Sequence, residues 1–251
     1  MKYIFFICIL FLAVSCNTVT TSPKKLTKIT AKNIAIDSTL MADAKIDSMI
    51  APYKEKLVNE MQRVLTKAPL DFTKKAIGMQ SILGNLMADL CYEIANPIYL
   101  EKTKQNIDFA MFNSGGLRAP ISTGNVTKES AFKLMPFENE FVVVELSGEK
   151  IVELVTYLIQ NKTAHPLSKQ MQLTIKNNAF ELSIGGKKFD QNKNYTVLTS
   201  DYLQTGGDRM NFFKNPISLT KLNYKIRDAI IVYFEKETEL KAVIDNRVIV
   251  Q

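Results

Sequence analysis

Histidine is nearly absent from this sequence: His165 is the only one among 251 residues. A two-metal phosphoesterase centre needs a cluster of His, Asp and Asn ligands. One histidine, set in the polar stretch Lys162-Thr163-Ala164-His165-Pro166, cannot supply one. No Gly-x-Ser-x-Gly elbow presents a nucleophile, and no Gly-x-x-x-x-Gly-Lys loop cradles a phosphate chain. His165 therefore reads as a loop residue rather than a base, and nothing supports catalysis by this chain alone. Cysteine is also scarce, with only Cys8, Cys16 and Cys91.

The N-terminus accounts for two of the three cysteines. Met1 and Lys2 give a positive start, and Tyr3 to Val14 is a run of twelve apolar residues. A membrane-spanning helix needs about 20, so this run fits the hydrophobic region of an export signal. Ala13-Val14-Ser15-Cys16 resembles a bacterial lipobox, which makes 1–15 a lipoprotein signal peptide and Cys16 the lipidated first mature residue. The alternative is an ordinary cleaved signal beside an incidental cysteine. Residues 16–32, rich in Thr, Ser and Lys, read as a tether, and 33–251 as one folded domain. Cys91 is then alone in the mature chain, so stability comes from burial rather than a disulfide. The expected location is the cell envelope, exported and held by lipid.

The formal charge is +7. It is spread over scattered lysines with no basic stripe between aromatics, which argues against nucleic acid as a partner. Helical spacing joins Ile46, Met49, Ile50, Tyr53, Leu57 and Met61, with Pro52 as a kink or a late start. A second helix spans Leu83 to Ile94. A strand at Ile107–Phe112 leads to a helix capped by Thr127 and ending near Met135. The valine-rich strand Phe141–Leu146 precedes a helix capped by Ser147 and stapled by Leu146 and Ile151. Strands at Met171–Ile175 and Phe180–Ile184 turn through Gly185-Gly186 into Lys187–Phe189. Tyr195–Thr199 is a further strand, and a helix from about Tyr224 to Lys236 closes the chain. The pattern predicts an α+β (mixed α/β) body in which a mixed sheet packs against helices.

Three loops carry the polar and aromatic groups suited to binding. They are Asn113-Ser-Gly-Gly-Leu-Arg118, Met135-Pro-Phe137-Glu-Asn139 and Thr199-Ser-Asp-Tyr202-Leu-Gln-Thr-Gly-Gly-Asp208. Phe137 and Tyr202 can hold a base between their faces. Asp208, behind two glycines, can accept hydrogen bonds from ribose hydroxyls, and Arg118 offers a planar fork to phosphate oxygens. Asn113 and Asn139 can each donate and accept.

In this order the three loops resemble the C-terminal domain of the 5'-nucleotidases and UDP-sugar hydrolases. Leu83-Gly84-Asn85-Leu86-Met87-Ala88-Asp89, Glu145-Leu-Ser-Gly148 and Ile184-Gly-Gly-Lys187 match the same domain, so the resemblance covers roughly residues 30–250. It implies a nucleoside clamp of Phe137 and Tyr202, with Asp208 on the ribose. Asn113 and Asn139 would meet the base or sugar, and Arg118 the phosphate. It also implies hydrolysis by two divalent metals held in a metallophosphatase domain, which a separately encoded partner would supply. The alternative is a nucleoside-binding or structural lipoprotein without catalysis. Two positions depart from the pattern. Lys74-Lys75-Ala76-Ile77-Gly78-Met79-Gln80 lacks the arginines usual there, and Lys169 replaces a glycine.

Overall fold

The computed structural model describes residues 26–176 and 179–251. The signal region 1–15, Cys16 and the tether up to residue 25 lie outside the described residues. Contacts divide the chain into a unit ending at Met49 and a unit spanning Ile50–Gln251. Residues 26–43 are exposed and without helix or strand. Asp43 then caps helix α1 (Ala44–Met61), its Oδ1 accepting from the Lys45 and Ile46 amides. Pro52 lies inside this helix, which begins well before it, and none of its residues is buried.

The central layer is a four-stranded mixed sheet. Its strands are β2 (Phe109–Ala110), β4 (Glu140–Ser147), β8 (Asn194–Ser200) and β9 (Ser218–Lys225), ordered β2-β8-β4-β9. β2 runs parallel to β8, while β4 is antiparallel to both β8 and β9. Both faces of β4 are covered, which explains why Phe141–Val144 reads as a continuous apolar run instead of an alternating one. Phe141 and Val143 enter one core with α2 (Ile82–Thr103) and α6 (Ile226–Lys236). Val142, Val144 and Leu146 enter the other, with α4 (Gly148–Asn161). That second core is completed by a sheet of β5 (Met171–Lys176), β6 (Ala179–Ile184), β7 (Lys187–Lys188) and β10 (Val248–Val250). A ribbon of β1 (Val64–Ala68) and β3 (Gly124–Thr127) leads into α3 (Lys128–Leu134).

The capping predictions describe the helices well. Thr127 forms a capping box with Ser130, and the Ser147 hydroxyl accepts from the Lys150 amide. Gly185 and Gly186 both take left-handed φ, 58° and 74°, which a two-residue hairpin of this hand requires. Helix α2 runs past the expected end at Ile94, through Pro97, to a left-handed cap at Lys104. The final helix begins two residues late because β9 occupies the chain up to Lys225.

The Leu83–Asp89 motif has a packing role. Ser81 caps α2, and a side chain on Gly84 would strike the Ser81 hydroxyl at 2.8 Å. Asn85 donates to Gln80 (3.0 Å) and to the Val243 carbonyl (2.8 Å). Asp89 pairs at 2.8 Å with Arg247, a residue 3% exposed. The C-terminal segment is thereby pinned to the helix that starts the domain.

Two positions make the fold's demands testable. A Cβ on Gly148 would lie 2.2 Å from the Gln191 carbonyl oxygen, and the two nearest atoms after it are also Gln191 backbone. Gly148→Ala should therefore lower unfolding stability by about 1–3 kcal/mol, read as a shifted denaturation midpoint; an unchanged midpoint would refute the packing. His165 is 8% exposed, and its Nδ1 accepts from the Ser114 amide at 3.2 Å. Burial holds its pKa down from 6.5 to about 4, the Asp208 carboxylate opposing. A neutral buried histidine stabilises fully above pH 6.5, and that contribution is lost as acid protonates the unfolded chain first. Between pH 7.5 and 4.5 the native protein should lose on the order of 2 kcal/mol more than His165→Gln. Equal losses by chemical denaturation would contradict this.

Candidate functional site

Topology brings the three loops together before any side chain acts. Because β2 and β8 are parallel, both end at the same edge of the central sheet, and antiparallel β4 begins there. Asn113 follows β2 and opens a single 3₁₀ turn, Ser114–Gly116. Phe137, Glu138 and Asn139 sit between α3 and β4. Tyr202 lies on the short helix α5 (Asp201–Gln204) directly after β8, with Asp208 a few residues on.

All six residues singled out from the sequence line one open cavity of about 620 Å³. Asn113, Arg118, Phe137, Asn139, Tyr202 and Asp208 are joined there by Gly115, Gly116 and Glu138. Its volume falls in the range of small-molecule sites. Phe137 and Tyr202 remain 42% and 45% exposed, so both are accessible from the cavity. Arg118 is exposed, its backbone amide bonded to the Leu134 carbonyl at 2.9 Å.

Asp208 organises the cavity wall. Its Oδ1 accepts from the Tyr202 hydroxyl at 2.8 Å and its Oδ2 from the Asn113 amide at 2.6 Å. The Tyr202 oxygen in turn accepts from the Asp208 backbone amide at 3.2 Å. The carboxylate at its hydroxyl raises the Tyr202 pKa. Asp208 and Arg209 both adopt left-handed backbone, φ 51° and 62°, strained by roughly 1 kcal/mol each. The preceding glycines make room: a Cβ on Gly207 would sit 2.4 Å from the Tyr202 ring. From α4, Tyr157 steadies the same turn by donating to the Asp208 carbonyl at 3.1 Å.

The loop bearing Phe137 is anchored from beneath. Arg227, buried, lies 4.3 Å above the Phe132 ring, donates to the Phe137 carbonyl at 3.4 Å and pairs with Glu138. Lys225 pairs with the same carboxylate at 2.6 Å. Hydrogen bonds from Lys225 and then Arg227 hold the Glu138 pKa at about 2. Glu138 was visible in the quoted motif only as a spacer between Phe137 and Asn139. Its cationic partners are distant in sequence and gave no signal, nor did Tyr157.

The group set does not suit a metal. Among the described residues no three His, Cys, Asp or Glu side chains stand close enough to share an ion. His165 has its Nδ1 committed to the Ser114 amide.

The family model of the "5'-nucleotidase, C-terminal domain" matches residues 64–215. The Silent protein UshA(0) of Salmonella typhimurium is 32% identical over 105 residues, covering 40% of this chain and 19% of that protein. A 5'-nucleotidase of Vibrio vulnificus is 24% identical over 204 residues, 78% of this chain and 35% of that one. The 5'-nucleotidase precursor of Thermus thermophilus shares the fold, with a TM-score of 0.65 at 20% identity over 81% of this chain and 42% of the other. The chain thus spans well under half the length of each. The matched region contains every residue of the cavity, and the chain belongs to the 5'-nucleotidase C-terminal domain family.

Proposed function

We propose that this chain is the nucleotide-recognition half of a 5'-nucleotidase-type hydrolase, with a separately encoded metallophosphatase contributing the metals and the hydrolytic step. The carrying observation is the cavity itself: two exposed rings, two carboxylates, two amides and a guanidinium, delivered by three distant loops to one edge of a sheet. On this reading a purine or pyrimidine stacks between the rings, and stacking favours binding whichever base is present. A carboxylate offers about four lone-pair positions, so Asp208 can take ribose hydroxyls while keeping Tyr202 and Asn113. Arg118 then faces the phosphate. In trans, the clamp would set the phosphoryl group over the partner's metals, a gain from orientation alone. The apolar N-terminal run supports export, with Cys16 as lipid attachment site.

A second reading is favoured by one feature of the cavity. Arg118 is its sole cationic lining residue among those described, and the Glu138 carboxylate lines it too. Lys74, from the stretch that lacks the expected arginines, places its ammonium 3.5 Å from the Ser114 carbonyl. On that reading the chain captures nucleosides without hydrolysis.

Calorimetry with adenosine and AMP separates these readings. Phe137→Ala and Tyr202→Ala should each weaken both ligands by about 5- to 150-fold, the range for lost base stacking. Arg118→Ala should weaken AMP about tenfold or more and leave adenosine unchanged, since it removes a charge-assisted bond to phosphate. Equal affinity of the native protein for the two ligands selects nucleoside capture. No heat at millimolar ligand ends both. Palmitate labelling that survives Cys16→Ala would rule out the anchor.

A further inference from the structure

Asp201 does not line the cavity, yet it touches both arms of it. Its Oδ1 accepts from the Asn139 side-chain amide at 2.9 Å, the Glu140 backbone amide at 3.2 Å and the Tyr202 backbone amide at 2.8 Å. The first two donors belong to the loop that carries Phe137. The third begins the short helix that carries Tyr202. Only the Ser200 hydroxyl, accepting from the Leu203 amide at 3.1 Å, caps that helix. The β4–β8 ladder reaches only to the Phe141–Ser200 pair, so this oxygen carries the connection one step further out, to the residues beside each ring.

We infer that Asp201 is the positioning residue that sets the gap between Phe137 and Tyr202, acting through a single acceptor oxygen and not through its charge. The inference deepens the nucleotide-binding reading and rests on it. A second consequence concerns Asn139. Because a carboxylate only accepts, the amide nitrogen must face Asp201, which turns the Asn139 carbonyl oxygen away from it. The Asn139 carbonyl oxygen is then free to accept from a ligand, beside the amide's second N–H. All three hydrogen bonds converge on Oδ1, so an asparagine at 201, with its own carbonyl oxygen in that place, can receive them all. Alanine can receive none, and two backbone amides and one side-chain amide lose their partner.

The chain contains no tryptophan, which allows a clean reporter. Phe137→Trp places the sole indole on one arm of the clamp. Acrylamide quenching and anisotropy of that indole in the ligand-free protein read how firmly the arm is held, and adenosine titration reads the gap. With Asp201→Ala in this background, acrylamide quenching should rise at least twofold and adenosine affinity should fall at least tenfold. Asp201→Asn should restore both to within about twofold. The inference is overturned if Asp201→Ala, folded by circular dichroism, leaves indole quenching and adenosine affinity unchanged. It is equally overturned if Asp201→Asn is as damaging as alanine, because charge would then be the requirement. Should Asp201→Ala fail to fold, ligand-free quenching in Asn139→Ala decides: unchanged mobility of the indole refutes the link. If the native protein binds no adenosine, the nucleotide reading fails, while the ligand-free quenching of the reporter still decides the role of Asp201.

Discussion

The site depends on one carboxylate held in a strained turn. Asp208 sits at left-handed φ, where a residue with a side chain is disfavoured, and its two oxygens bind groups from two loops. The Tyr202 hydroxyl both donates to the Asp208 side chain and accepts from its backbone amide, closing a small ring of hydrogen bonds across the Gly206-Gly207 turn. With that arrangement in place, the Tyr202 ring lies against Gly207 while Tyr202 stays partly exposed to the cavity. Strain of this kind persists where surrounding contacts over-determine it, and Tyr157 supplies another such contact from α4. The cavity wall is therefore arranged before any ligand arrives, which reduces the ordering that binding must offset.

A rigid central sheet makes this possible. β2, β4 and β8 are buried on both faces, by helices on one side and by α4 with the second sheet on the other. The edge from which the three loops leave is thus firmly fixed by packing. Loops carry the chemistry and the sheet carries the spacing, a division common to binding sites on layered folds. His165 belongs to the support: neutral because it is buried, it serves as an acceptor for the turn that begins the Asn113 loop.

What the sequence showed was local. Caps at Thr127 and Ser147, the Gly185-Gly186 turn and the valine-rich β4 are each set by neighbours in the chain, and each appears in the structure. Four strands went unread. β9 is an edge strand in which only Leu222 is buried, so its lysines and asparagine hid the pattern; β10 is three residues long. Pro97 did not stop α2 because the helix is buried along most of its length, and packing outweighed the lost hydrogen bond. The six loop residues were legible through the family motif, and the structure brings all six to one cavity. Their mutual commitments were not legible. That Asn113 bonds Asp208, ninety-five residues away, or that Asn139 bonds Asp201, follows only from the way three strands meet at one edge.

The central claim is that this edge of the sheet is shaped for a nucleoside. A crystal structure of the chain with adenosine or AMP tests it directly. The account predicts the base between the Phe137 and Tyr202 rings and a ribose hydroxyl within hydrogen-bonding distance of Asp208. A base bound elsewhere, or rings closed on each other with Asp208 turned away from the sugar, would contradict it.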